Sequence, residues 1–234
     1  MNNAPVLAAA RLPQLVNGAI GQLAAAHLHA IVEPWPGMQA GDLLELFWDG
    51  LFIASRLIYA HDLGQPTRLR IPPGFIQPPL GVLHYQILKI GEAPWVSPRC
   101  TVAVKLLAPG DACNAARQAE NPQLASVSFA DSLLRHGVNS RHLKRGVAFR
   151  IAPYAHMAAL DAITLRWGDV SLDLAPLTTA DLGLPIKGRV PAAVAFEAGP
   201  DEHLEVTYSV IDYVGNHSGW APVTRLRVLS PVTC

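Results

Sequence analysis

Val32-Glu-Pro-Trp-Pro-Gly-Met38-Gln-Ala-Gly-Asp42-Leu-Leu44-Glu-Leu46-Phe-Trp48 returns later in the chain as Ile151-Ala-Pro-Tyr-Ala-His-Met157-Ala-Ala-Leu-Asp161-Ala-Ile163-Thr-Leu165-Arg-Trp167. The register holds without a gap: Pro34 and Pro153, Met38 and Met157, Asp42 and Asp161, Trp48 and Trp167 are each 119 apart. Self-similarity at so long a period predicts two copies of one domain rather than a solenoid unit. Within each copy the apolar residues alternate. Leu44, Leu46 and Trp48 share one parity, as do Ile163, Leu165 and Trp167, and period-two alternation predicts a half-buried strand.

Working outward, Leu12-Pro-Gln-Leu15 is echoed by Asn121-Pro-Gln-Leu124 at an offset of 109, so the second copy carries an insertion before its core motif. Residues 1–12 read as a lead-in, and His27–Val32 as a first strand. Leu69-Arg-Ile-Pro72 parallels Arg189-Val-Pro191, and proline at a strand end suits an edge. The next alternating runs are Leu83, Tyr85, Ile87 and Val206, Tyr208, Val210, now 123 apart. The last strands carry Val102 with Val104, and Leu226 with Val228. The stretch 107–121 is polar and small and reads as a linker. The expected domains are therefore 1–108 and 122–234. The basic, least repetitive part, Arg135–Arg145, belongs to the insertion and reads as a short helix or a long loop.

Composition narrows the classes. The chain has 234 residues, half of them hydrophobic and only 15% charged, with 18 basic residues balancing 18 acidic. Charge this sparse suggests a surface partly covered by a partner, and a homo-oligomer is compatible with it. No basic patch stands out in the sequence, which disfavours nucleic acid. No apolar run is long enough to span a membrane, and no conventional signal peptide is visible. Cys100, Cys113 and Cys234 do not recur at the repeat offset and read as free thiols.

Short strands at near-regular spacing with turns between them predict an all-β antiparallel sandwich. Leu-x-Leu-x-Trp on an early strand and Tyr-x-Val on a late one resemble the immunoglobulin-like and fibronectin type III sandwiches. Tyr208–Ser218 is similar to the penultimate strand and following loop of bacterial Ig-like modules. Pro-Trp-Pro-Gly-Met with Gly-Asp and a downstream Trp resembles repeats of bacterial surface and adhesin-like proteins. The resemblance implies two tandem Ig-like sandwiches and a role in a surface, adhesion or secreted assembly.

The residues offer little chemistry. Trp48 and Trp167 are expected at the centres of their cores. Tyr85 and Tyr208 fall where a tyrosine corner would tie down a loop. Asp42 and Asp161 suit Asx-turns, and nothing repeats beside either to complete an acid–base pair. His27 and His29 share a strand face but lack a third zinc ligand. Asp62, Asp111, Asp201 and Asp212 lie in turns without a calcium-loop pattern. No nucleophile elbow, Walker loop or dinucleotide fingerprint is present. The expectation is a non-enzymatic protein without cofactor or metal.

Trp95 and Trp220 are placed in corresponding loops, with Asn216 and His217 beside the second. These four are the candidate ligand site, weighed against capping of the core ends. The expected partner is a protein or a glycan. A carbohydrate-binding accessory module and an intracellular partner of a secretion or phage-like machine are the alternatives. The compartment stays open between the cell surface, secretion without a conventional signal, and the cytoplasm.

Overall fold

The computed structural model describes residues 5–111 and 120–229. It is mostly β-strand in several sheets, with a few short helices. The chain divides into two compact units, Met1–Leu106 and Leu107–Cys234.

The first unit runs β1 (Ala19–Ile20), α1 (Gln22–Ala26), β2 (His29–Val32), β3 (Leu43–Trp48), β4 (Leu51–Leu57), β5 (Thr67–Arg70), β6 (Leu80–Leu88), β7 (Trp95–Val96) and β8 (Cys100–Val104). Its larger sheet has the order β1-β8-β6-β3-β4, with β7 also on β6, while β2 and β5 form a separate pair. The second unit runs α2 (Asp131–His136), α3 (Ser140–Arg145), β9 (Val147–Ile151), β10 (Ala162–Trp167), β11 (Val170–Asp173), β12 (Ile186–Val190), α4 (Ala192–Glu197), β13 (Asp201–Ile211), β14 (His217–Trp220) and β15 (Thr224–Val228). Here the larger sheet is β11-β10-β13-β14 with β15 also on β13, and β9 pairs with β12.

The alternation sets which faces meet. Leu44, Leu46 and Trp48 point into a core shared with Ala30, Val32 and Leu69 of the smaller sheet and with Ile71 just after it. Ile163, Leu165 and Trp167 meet Val147, Phe149, Ile151 and Val190 in the same way. Registers correspond: Trp48 pairs with Leu83 and Trp167 with Val206. The two indoles are 1% and 0% exposed. Close approach demands glycine in both cores, at different places. A Cβ on Gly81 would stand 1.9 Å from the Trp48 ring, and one on Gly188 would stand 2.3 Å from the Phe149 ring. Trp167 instead takes Phe129 edge-on, at 6.2 Å and 70°.

In each unit a segment from the N-terminal side pairs in parallel with the last strand. β1 lies parallel to β8, with Ala19 opposite Ala103 and Ile20 opposite Val104, and Lys105 N donates to Ile20 O at 2.9 Å. In the second unit Val138 bridges Val228 in parallel, Val138 N donating to Arg227 O and Leu229 N to Val138 O.

The lead-in and the insertion both prove to be structural. The lead-in is part of the core, since Leu7, Ala10 and Leu12 are buried. The basic insertion forms α2 and α3, and it too contributes to a core through Leu133, Val138 and Leu143. Asn139 caps α3, accepting from Arg141 N and His142 N at 3.1 Å each. The four residues gained before Val206 fall in the stretch where α4 stands, against a single 3-10 turn, Pro73–Phe75, in the first unit. Cys100 is a free thiol, while Cys113 and Cys234 lie outside the described residues.

Candidate binding site

Asp42 and Asp161 are buried, at 4% and 0% exposure, so each carboxylate needs partners from the protein. The bonds they accept differ from the forward bond of an Asx-turn. The side chain reaches backward instead of forward, to the amide three residues earlier and the aromatic seven residues earlier. Asp42 Oδ2 accepts from Gln39 N at 3.0 Å and from Trp35 Nε1 at 3.1 Å. Asp161 Oδ2 accepts from Ala158 N and from the Tyr154 hydroxyl, both at 2.9 Å. The repeated partner beside the Asp, absent from the sequence reading, is therefore the residue after Pro34 and Pro153. Burial and the neighbouring Asp161 carboxylate push the Tyr154 phenol well above its ordinary value.

In the first unit the cluster is larger. Lys89 Nζ lies 3.0 Å from Asp42 Oδ1, donates to Gly37 O at 2.8 Å, and sits 5.0 Å from the centroid of the Trp95 ring. Trp35, Asp42, Lys89 and Trp95 thus form one connected group. Leu88 pairs with Leu43 and Ile211 with Ala162, so Asp212 stands where Lys89 does. The Asp212 carboxylate serves its own loop, accepting from Val214 N, Asn216 N and Asn216 Nδ2 at 2.8–3.0 Å.

Trp95 and Trp220 are not in loops, and they are not equivalent. Trp95 is in β7, opposite Ile87; Trp220 is in β14, opposite Ser209. Ser97 N donates to Tyr85 O, and Ala221 N to Tyr208 O. That common bond aligns Ala221 with Ser97, so Trp220 matches Val96 and Gly219 matches Trp95. A one-residue slip turns a side chain to the other face of a sheet. Trp95 accordingly packs against the core. Trp220 lies on the outer face, half-buried, with the Arg166 guanidinium 5.0 Å from its ring centroid. The aromatic before a proline drew the two together in sequence, while the backbone register separates them.

Asn216 is buried within the loop that Asp212 organises. His217 is exposed, and its Nδ1 accepts from Gly219 N at 2.9 Å; desolvation lowers its pKa. Asn216, His217 and Trp220 share one turn and strand, whereas Trp95 belongs to the other unit. Tyr85 donates to Ala8 O at 2.7 Å, in the N-terminal lead-in rather than in a connecting loop. The Tyr208 hydroxyl is buried without a hydrogen-bond partner, and burial raises its pKa. The tyrosine-corner expectation therefore does not describe Tyr208. Of the turn aspartates, Asp62 accepts from Tyr59 N and Arg56, Asp201 from His203 N, and Asp111 lies 3.6 Å from His156. Among the described residues no group of three or more His, Cys, Asp or Glu has metal-binding geometry, and no helix is long and apolar enough to cross a membrane.

No protein-family model matches the sequence, and no curated protein matches it. Solved structures do align with it. One is from a study of how a 1.5-MDa bacterial ice-binding adhesin is retained at the host cell surface, at 11% identity and a TM-score of 0.44, over 97% of this chain and 66% of that one. Another is the BSP domain of a biofilm-associated protein, at 11% identity and a TM-score of 0.28, over 98% of this chain and 30% of that one. The chain thus spans under two thirds of each.

Proposed function

We propose that the chain comprises two tandem Ig-like β-sandwiches, over residues 1–108 and 122–234, and serves as a non-catalytic binding or structural module of a bacterial surface, adhesion or secreted assembly. The observation that carries this reading is the strand order. In the first unit β2 beside β5 stands against β4-β3-β6-β8. In the second, β9 beside β12 stands against β11-β10-β13-β15. Both orders are compatible with a B–E layer facing a C′–C–F–G layer, which supports the Ig-like reading.

The buried carboxylates support the non-catalytic half of the reading. Asp42, Asp161 and Asp212 accept from the backbone and from side chains of their own turns, a role that holds loops in place. Within this reading Trp220 and His217 are the accessible part of the candidate site and Asn216 shapes the loop beside them, while Trp95 packs on the core of the other unit. The carbohydrate-binding alternative draws on Trp220, whose ring lies on the outer face of its sheet with Arg166 over it.

The test is to pass the purified full chain over immobilised glycans and bacterial or host surface proteins while assaying for turnover. Binding without turnover is the expected result. Trp220→Ala with His217→Ala should weaken binding and leave the melting temperature nearly unchanged. Turnover of a substrate that a single point substitution abolishes would overturn the proposal.

A further inference from the structure

The smaller sheets of the two units differ on their outer faces. Ile151 pairs with Ile186 as Val32 pairs with Thr67, and the equivalences follow from there. In the first unit Ile31 stands opposite Arg68 and His29 opposite Arg70, while Arg11 bridges Ile31 from the other side. That face is filled by its own side chains. Arg11 is ion-paired with Glu33, and Arg68 reaches the His29 ring at 3.3 Å.

In the second unit Arg150 replaces the isoleucine, directly opposite Lys187. Ala148 replaces the histidine, opposite Arg189, and Ser128 replaces the bridging arginine. Like charges directly opposite one another on a sheet destabilise it. Among the described residues neither Arg150 nor Lys187 has an ion-pair partner. Arg189 donates to the carbonyls of Arg145 and Gly146 at 3.1 and 3.0 Å, which fixes the guanidinium without neutralising it. The exchange of large for small residues leaves a surface groove of about 880 Å³ over Ser128, Ala130 and Ala148, lined by Arg150, Lys187 and Arg189 and by no acidic residue.

We infer that this groove binds an acidic polysaccharide, its carboxylates neutralising Arg150, Lys187 and Arg189. The volume is that of a site for several sugar units rather than one small anion. A peptide would draw its affinity from backbone pairing; β9 at the groove floor is paired on both sides, by Ser128 and by β12, and a strand added to the open edge of β12 would lie beside the groove rather than over its floor. Single-stranded nucleic acid is held by bases stacking on exposed aromatics; the aromatics at this groove, Phe129 and Phe149, are buried. What remains is recognition by an array of charges over a floor of small side chains. This deepens the binding-module reading and rests on it.

The experiment uses the full chain and sodium polygalacturonate, with polyglutamate and a single-stranded oligonucleotide as competing polyanions. Polygalacturonate should bind and be released by high salt, because exposed charges are screened. Arg150→Ile with Lys187→Glu should weaken binding at least about tenfold, while Arg68→Glu in the first unit should leave it unchanged. Arg150→Ile alone restores the residue of the first unit and should raise the melting temperature by about 1–3 °C as the like-charge pair is relieved. That single variant, shown to be folded by the shift, should itself bind polygalacturonate more weakly than wild type, so that the loss belongs to the groove. The inference is overturned if the wild-type chain ignores polygalacturonate, if the double variant binds it as well as wild type, or if either competitor binds more tightly. Each of those results leaves the glycan and protein screen for the module free to succeed.

Discussion

In the first unit a buried carboxylate meets a buried ammonium; in the second the equivalent carboxylate meets a phenol. Asp42 has Lys89, and Lys89 has Trp95 beneath it. At the corresponding positions of the second unit stand Asp212 and Gly219, while Tyr154, the counterpart of Trp35, donates to Asp161. Lysine and tryptophan are absent together, as expected if the indole's task is to cover the ammonium. The two copies therefore keep one geometry, a carboxylate reaching back over its own turn, while the electrostatics around it differ. An ion pair removed from water is supported by mutual attraction and extra hydrogen bonds; a neutral phenol needs no counter-charge.

The largest expected effect comes from breaking the ion pair on one side. Asp42→Ala leaves Lys89 buried without its carboxylate and should cost the first unit about 3–5 kcal/mol. Adding Lys89→Met should recover much of that loss. Hydrogen exchange, read unit by unit, measures both. If the double variant is no better than the single one, Lys89 is not the charge that matters.

A smaller effect is expected where the partner is neutral. Tyr154→Phe removes one donor from a carboxylate that keeps Ala158 N and should cost about 1–3 kcal/mol. The pH dependence has a definite sign. Burial and the Asp161 carboxylate raise the Tyr154 phenol in the folded state, and burial raises Tyr208. Above the ordinary phenol value of about 10, unfolded tyrosines lose protons that the folded ones retain, so stability is intact below that pH and falls as pH rises beyond it. Tyr85 is raised by burial alone. The second unit should therefore lose protection first in an alkaline titration, and Tyr154→Phe should flatten its decline. Equal decline in both units would remove the distinction.

The smallest effects separate the tryptophans. Trp95→Ala should cost roughly 1–2 kcal/mol, because that ring packs on a core and covers Lys89. Trp220→Ala, on an outer face, should cost under about 1 kcal/mol. Equal costs would mean that the one-residue offset between them has no energetic consequence.

The parity of Leu44, Leu46 and Trp48 against Ile163, Leu165 and Trp167 was enough to read the inward face of two strands, because side-chain direction in a strand follows position directly. The period-two runs ending at Ile87 and Val210 were legible for the same reason. The relation of Trp95 to Trp220 was not. Their spacing from Gly91 and Gly215 differs by one residue, and only the hydrogen bonds of Ser97 and Ala221 to the neighbouring strand reveal which residue faces which way. The donors of Asp42 were hidden for a related reason. A carboxylate that bonds three and seven residues back follows the path of the turn, which composition does not record. The groove beside Arg150 was invisible because its three cations come from two strands and form a patch only once those strands pair.

The parallel joining of β1 to β8, and of Val138 to Val228, also determines how each unit meets tension. Once the lead-in bonds of Ala8 and Arg11 have parted, tension reaching β1 draws Ile20 and Lys105 past one another, so the bonds between these segments are loaded together, in shear. An antiparallel hairpin pulled at its open end parts one bond at a time. In the second unit the clamp is a single bridge with its two flanking hydrogen bonds, set between α2 and α3 and reached only after the bonds of Asn121 and Ser128 have parted. Stretched from end to end, the second unit should yield at lower force, and the first should hold until its clamp gives way in one step.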